Sequence, residues 1–181
     1  MTPEQIDPIA TPIAGQVLAA MIEAYDDPKW GVTAPCSFGL VSGGTLIADH
    51  CCDLDEHGVE TANGEPCEGQ LTVRVLDSFP TRSFPAPWTG AMGSCESWAV
   101  QLEIAVLRCA LVIDDDGNAP SMEAEMVVAE RALGDVGLLR HTLVDLAAKL
   151  GNTALALGGY QPMGPDGGCV GGAITATFLV E

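Results

Sequence analysis

Positive charge is the scarcest property of this sequence: 181 residues carry 7 lysines and arginines against 25 aspartates and glutamates, a formal net charge of −18 at pH 7. Nucleic-acid grooves and anionic membrane surfaces are both held by clustered Lys and Arg, so neither is a mode of action here. Long hydrophobic runs are also missing. Gln101, Glu103 and Arg108 interrupt the most apolar stretch, which falls short of the roughly 18 uninterrupted residues of a membrane helix. The first 28 residues hold no Lys or Arg. That stretch therefore lacks the positive n-region of a secretory signal, and the expectation is a chain made and kept in the cytosol, with no membrane association.

Catalytic signatures are equally thin. There is no G-x-S-x-G elbow, and the three histidines sit in acidic or helical surroundings. Gly164 to Gly172 lacks the Lys-Ser/Thr of a phosphate loop and leads into an alternating apolar run instead of a helix. Asp114, Asp116 and Asn118 start like a calcium loop, but Gly117 is fourth where the sixth position needs glycine, so a solvated turn is expected. No catalytic, cofactor-binding or metal-binding residue is assigned.

Cysteine is more plentiful, with 7 in the chain. His50, Cys51, Cys52, His57 and Cys67 are the right residue types for zinc, but no C-x-x-C unit supports a standard site. Three readings stay open: a metal, a disulfide or thiol pair clasping the loop that follows Cys52, and unpaired buried thiols. The structural thiols singled out are Cys51, Cys52, Cys67, Cys95, Cys109 and Cys169. Cys52 is expected near Cys67, and Cys109 near Cys169, because each pair brackets a loop too polar or glycine-rich to be held by hydrophobic burial. A reducing cytosol disfavours disulfides, so this cysteine content raises the case of a protein that later meets an oxidising exterior.

What is present is a folding sequence: 48% apolar and 18% charged, in a length that suits one domain over 1–181. The 21 glycines and 12 prolines predict long loops, at about 26–44, 53–69, 79–95 and 158–172. Thr11 as N-cap and Pro12 at the first helical position open a helix over about 12–25, with Ile13, Val17, Ala20, Met21 and Ala24 on its apolar face. Thr45 to Ala48 reads as a short strand, and Leu71, Val73 and Val75 alternate as a half-buried one. The prolines between Phe79 and Pro87 predict extended surface chain that cannot be a central strand.

Trp98, Val100, Leu102, Ile104 and Val106 alternate, and the apolar set then changes phase to Leu107, Cys109, Leu111 and Ile113. The pattern predicts one long strand with a bulge. At about 3.3 Å per residue it would run over about 50 Å, so part of its apolar surface is expected to reach out of the subunit. Met122, Met126, Ala129, Leu133, Val136, Leu143, Leu146 and Leu150 mark one face of the main helix, with a kink or break expected at Gly134 and Gly137. Ile174, Ala176, Phe178 and Val180 share one face of a final strand. The order predicts an α+β domain: a central antiparallel or mixed sheet flanked by an N-terminal helix and a long helix in the C-terminal half.

Four segments carry a resemblance: Cys67-Glu68-Gly69-Gln70-Leu71-Thr72-Val73-Arg74-Val75, Phe84-Pro85-Ala86-Pro87, Leu102-Glu103-Ile104-Ala105-Val106-Leu107-Arg108-Cys109, and Gly164-Pro165-Asp166-Gly167-Gly168-Cys169-Val170-Gly171-Gly172. Together they resemble the tail terminator and related neck proteins of long-tailed phages of actinobacteria. Such relatives often carry an aromatic after the last glycine pair, where this chain has Ala173-Ile174. The resemblance implies the terminator fold and a hexameric ring that ends tail-tube polymerisation and joins the tail to the head connector. It implies as partners the chain itself, the major tail tube protein and the head-to-tail stopper or connector protein, with DNA passing through without specific binding. The implied location is the tail-neck junction of the virion, after synthesis in the host cytoplasm, and the implied work is structural, not enzymatic. Around the hole of such a ring Asp and Glu should outnumber Lys and Arg, and a hole lined mainly by Arg74, Arg82 and Arg108 would contradict this. Three alternatives stand beside it: a stopper or adaptor of the neck, an acidic DNA mimic that blocks a nucleic-acid enzyme, and a zinc-dependent enzyme built on His50, Cys51, Cys52 and Cys67.

Overall fold

A computed structural model describes residues 7–41, 69–90, 97–111, 117–151, 154–166 and 168–180. Along the chain come helix α1 (Ala10–Tyr25), a 3-10 turn (Pro28–Trp30) and strands β1 (Ser37–Val41), β2 (Gln70–Thr81) and β3 (Ser97–Cys109). Helix α2 (Met122–Lys149) and strands β4 (Leu155–Asp166) and β5 (Cys169–Val180) follow. The strands form one sheet in the order β1-β2-β3-β5-β4, with β1 parallel to β2 and all other pairs antiparallel. The fold is thus α+β, a mixed sheet with both helices on one face: α1 over β1 and β2, α2 over β5 and β4.

Alternation builds the core. In β3, Val100, Leu102, Ile104 and Val106 point toward the helices, opposite Phe178, Ala176 and Ile174 of β5 and Val73 and Leu71 of β2, all at most 2% exposed. Val17 and Met21 of α1 and Leu138, Leu139 and Leu143 of α2 close the layer. Burying each large side chain of this kind contributes about 1.5–3 kcal/mol, so this one interface dominates the stability.

Several expectations need correction. Helix α1 begins at Ala10, so Thr11 is not the cap: Ile9 holds the N-cap position without a side-chain bond, and Asp7 Oδ1 instead accepts from the amides of Ile9 (2.8 Å) and Ala10 (3.0 Å). The expected loop at 26–44 contains the 3-10 turn and β1. The short strand at Thr45 to Ala48 and nearly all of the 53–69 loop lie outside the described residues.

Strand β2 continues through Phe79, Pro80 and Thr81 despite the proline. Among the described residues β1 pairs with β2 only from Gln70 to Arg74, so Pro80 lies beyond that pairing. The Pro80 carbonyl turns to the β1 side and accepts from the Trp88 amide at 2.7 Å. In a strand a residue's N–H and C=O point the same way, so the donor that proline lacks would have faced away from β3.

The bulge is in β2, not β3. Leu76 is the extra residue between Val75 and Asp77, whereas β3 keeps an unbroken register with β5 as far as Cys109. The apolar phase shift has another cause: Ala105, Val106, Leu107 and Arg108 are all at most 5% exposed, so both faces of β3 are buried there and alternation disappears. Within β3, which ends at Cys109, no side chain is exposed; of the residues expected to extend it, Leu111 is 39% exposed and Val112 and Ile113 lie outside the described residues. The glycine-rich 158–172 region is no loop but the paired hairpin of β4 and β5, with two irregularities in β4 at Leu157/Tyr160 and Met163/Asp166. Gly172 leaves room for the Tyr160 ring, which a Cβ would strike.

Helix α2 runs unbroken past Gly134 and Gly137. A Cβ at Gly134 would stand 3.0 Å from Val32 Cγ2, so this glycine permits close approach instead of marking a break. Ser121 caps the helix, its Oγ accepting from the Ala124 amide at 3.2 Å.

Candidate functional site

The buried charged groups among the described residues form a structural network. Arg108 enters from β3 and Asp135 from α2, with Nε to Oδ2 at 2.8 Å and NH2 to Oδ1 at 2.7 Å, a two-pronged ion pair. The second guanidinium arm also donates to the Thr33 carbonyl at 2.7 Å, and the Tyr25 hydroxyl of α1 donates to Asp135 Oδ1 at 2.7 Å. Burial first, and the adjacent Asp135 carboxylate second, push the Tyr25 phenol far above the ordinary tyrosine range. All three side chains come from residues about 5% exposed, and the cavity beside Arg108 and Asp135 measures about 30 Å³, room for a water and little more. The cluster ties both helices to the sheet and offers no place for a substrate.

Among the described residues, the larger concavities carry no converging reactive groups. A groove of about 380 Å³ between α1 and α2 is lined by Glu23, Asp27, Lys29, Trp30, Asp145 and Lys149. Lys29 pairs with Asp27 at 2.6 Å, and this contact lowers the Asp27 carboxyl and raises the Lys29 amine, both at the surface. His141 stacks against Trp30, ring centres 5.1 Å apart. Among the described residues no three His, Cys, Asp or Glu side chains are grouped to hold a metal. His50, Cys51, Cys52, His57, Cys67 and Cys95 lie outside them.

The register sets Cys109 of β3 directly opposite Cys169 of β5. Both are disulfide-bonded, as is Cys36, which the sequence reading had not placed among the structural thiols. Of the arginines expected to be kept off a channel wall, Arg108 is internal and Arg74 pairs with Glu103 across β2 and β3 at 2.7 Å. Arg82 lies over the Trp88 ring at 4.5 Å.

Exposed apolar side chains are spread over the described residues, Ile22, Leu40, Leu111 and Val144 among them, and two groups stand out. At the sheet edges, Val75 and Leu76 of β2 are each 40% exposed beyond the reach of β1, and Leu157 of β4 is 38% exposed on the opposite edge. On α2, Met122, Met126 and Leu133 are exposed by 73%, 56% and 71%. The sequence pattern had joined them to Val136, Leu143, Leu146 and Leu150 as one face. At 3.6 residues per turn the two sets point roughly a quarter-turn apart, and only the second meets the sheet. That drift was present in the spacing and is the signal that could have separated them.

Set against known protein families and curated proteins, the chain matches no family model and no individual protein.

Proposed function

We propose that this protein is a structural component of a phage tail-neck junction, a homo-oligomeric ring, hexameric as the resemblance implies, at the head-proximal end of the tail tube. It would end tube polymerisation on one face and receive the head connector on the other, with no bond made or broken. The α+β architecture supports this reading, because it is the arrangement the resemblance implies. The observation that carries it is a pair of unlike exposed apolar stretches on opposite sides of the sheet, Val75 and Leu76 of β2 just past its pairing with β1, and Leu157 on the edge strand β4. One subunit presenting two different sticky stretches is equipped for a head-to-tail contact, and such contacts close into rings when the rotation per subunit allows. A net charge of −18 per chain favours passage of DNA without adhesion.

The test is electron microscopy of assembled tails and of the purified protein. Density for this chain as a ring at the head-proximal end of the tube is expected. Leu76→Asp or Leu157→Asp should each abolish ring closure, with helical content unchanged by circular dichroism. Tails that lack the chain at that end, or hold it there as an isolated monomer, defeat the proposal.

A further inference from the structure

The exposed stripe on α2 lies apart from the two sheet edges and needs a partner of its own. Met122, Met126, Ala129 and Leu133 follow the 4-3-4 spacing of a coiled-coil seam, all four exposed, over three turns and about 18 Å at ~1.5 Å per residue. Arg140, one heptad beyond Leu133 on the same line, ends the stripe. With Met126 and Leu133 at a, and Met122 and Ala129 at d, the flanking e and g positions are Glu123, Glu125, Glu130 and Ala132.

No basic residue occupies a flank. A second copy docking along this seam would face glutamate with glutamate whether the helices ran parallel, where g meets e, or antiparallel, where e meets e and g meets g. Glu123 and Glu125 also suit the first turn of α2 electrostatically, but Glu130 lies two turns in and has no such local role. We infer that the N-terminal half of α2 is the docking site for an amphipathic helix of a different protein, one with an apolar seam flanked by lysine or arginine. The two methionines suit this, since their unbranched, polarisable side chains adapt to a helix of differing shape. This contact is independent of the ring: it uses none of the edge residues and exists equally on a monomer.

The experiment uses the full chain and three synthetic helical peptides of about three heptads. One has leucine at a and d and lysine at e and g; the second has glutamate at e and g; the third keeps the lysines but has serine at a and d. Affinity is measured by fluorescence anisotropy at about 0.05 M and about 0.3 M salt. The first peptide should bind and weaken with salt, and the other two should bind at least about tenfold more weakly. The double variant Met126→Ser/Leu133→Ser, which changes no charge and only exposed positions, should lose at least about tenfold for the first peptide. Equal binding by that variant, or by the serine-seam peptide, would reduce the effect to general charge attraction and overturn the inference. It is equally overturned if sedimentation shows the chain self-associating and the double variant monomeric, because the occupant is then a second copy. Loss of rings in Leu76→Asp with peptide binding intact separates this site from the ring.

Discussion

Asp135→Ala tests the central claim about what ties the helices to the sheet. The substitution removes two charged hydrogen bonds from Arg108, at 2.8 and 2.7 Å, and the acceptor of the Tyr25 hydroxyl at 2.7 Å. It leaves a guanidinium in a residue 5% exposed that keeps its bond to the Thr33 carbonyl and has lost the Asp135 carboxylate. Breaking a buried pair from one side costs about 3–5 kcal/mol, most of it the desolvation of the charge left behind. Tyr25→Phe deletes one hydroxyl donor and leaves the ion pair whole, so about 1.5 kcal/mol is expected. The double variant Arg108→Met/Asp135→Ala removes both charges and should be more stable than Asp135→Ala alone, although it contains one more substitution. Urea unfolding followed by circular dichroism at pH 7, with disulfides intact, gives each difference from midpoint and slope. A loss under about 1 kcal/mol for Asp135→Ala, or a double variant less stable than the single, would refute the reasoning.

The raised phenol of Tyr25 predicts a pH dependence with a definite sign. Above the ordinary tyrosine value of about 10 the unfolded chain releases this proton and the folded one keeps it, so stability present below that value falls as pH rises beyond it. Unfolding midpoints of the wild type should drop between about pH 9.5 and 11 by more than those of Tyr25→Phe, and parallel curves would contradict the assignment. Gly171→Ala should cost about 1–3 kcal/mol, because a Cβ there overlaps the Val106 carbonyl oxygen and forces the two central strands apart. Gly159→Ala, with no neighbour within 4 Å of the new Cβ, should stay within about 0.5 kcal/mol in the same urea titrations. Peptide mapping without reduction should recover Cys109 joined to Cys169, the pairing that their facing positions on adjacent strands favour. Recovery of either as a free thiol would remove that bridge from the fold.

Much of the architecture was legible along the chain. Apolar spacing at Ile13, Val17 and Met21 and the alternation from Val100 to Val106 report helix and strand directly, since each is a local pattern repeated against one buried surface. The α+β class followed from the order of such segments. Legibility failed where a residue's meaning depends on its neighbours in space. Pro80 argues against a strand until it is seen where β1 no longer covers β2. The glycines from 158 to 172 read as a loop, yet they make room for a ring, a side chain and a neighbouring strand within a hairpin.

The ion pair was beyond reach for a related reason. Arg108 and Asp135 are separated by 27 positions and Tyr25 and Asp135 by 110, and no local periodicity links residues that meet only when two helices settle on one sheet face. The outward stripe on α2 is the intermediate case. Its residues and its acidic flanks were written in the sequence, and a quarter-turn of drift already set it apart from the core face. That Met122, Met126 and Leu133 remain in solvent was decided by where the sheet lies: α2 packs its buried face from Asp135 onward, and no described side chain of the turns before it is buried.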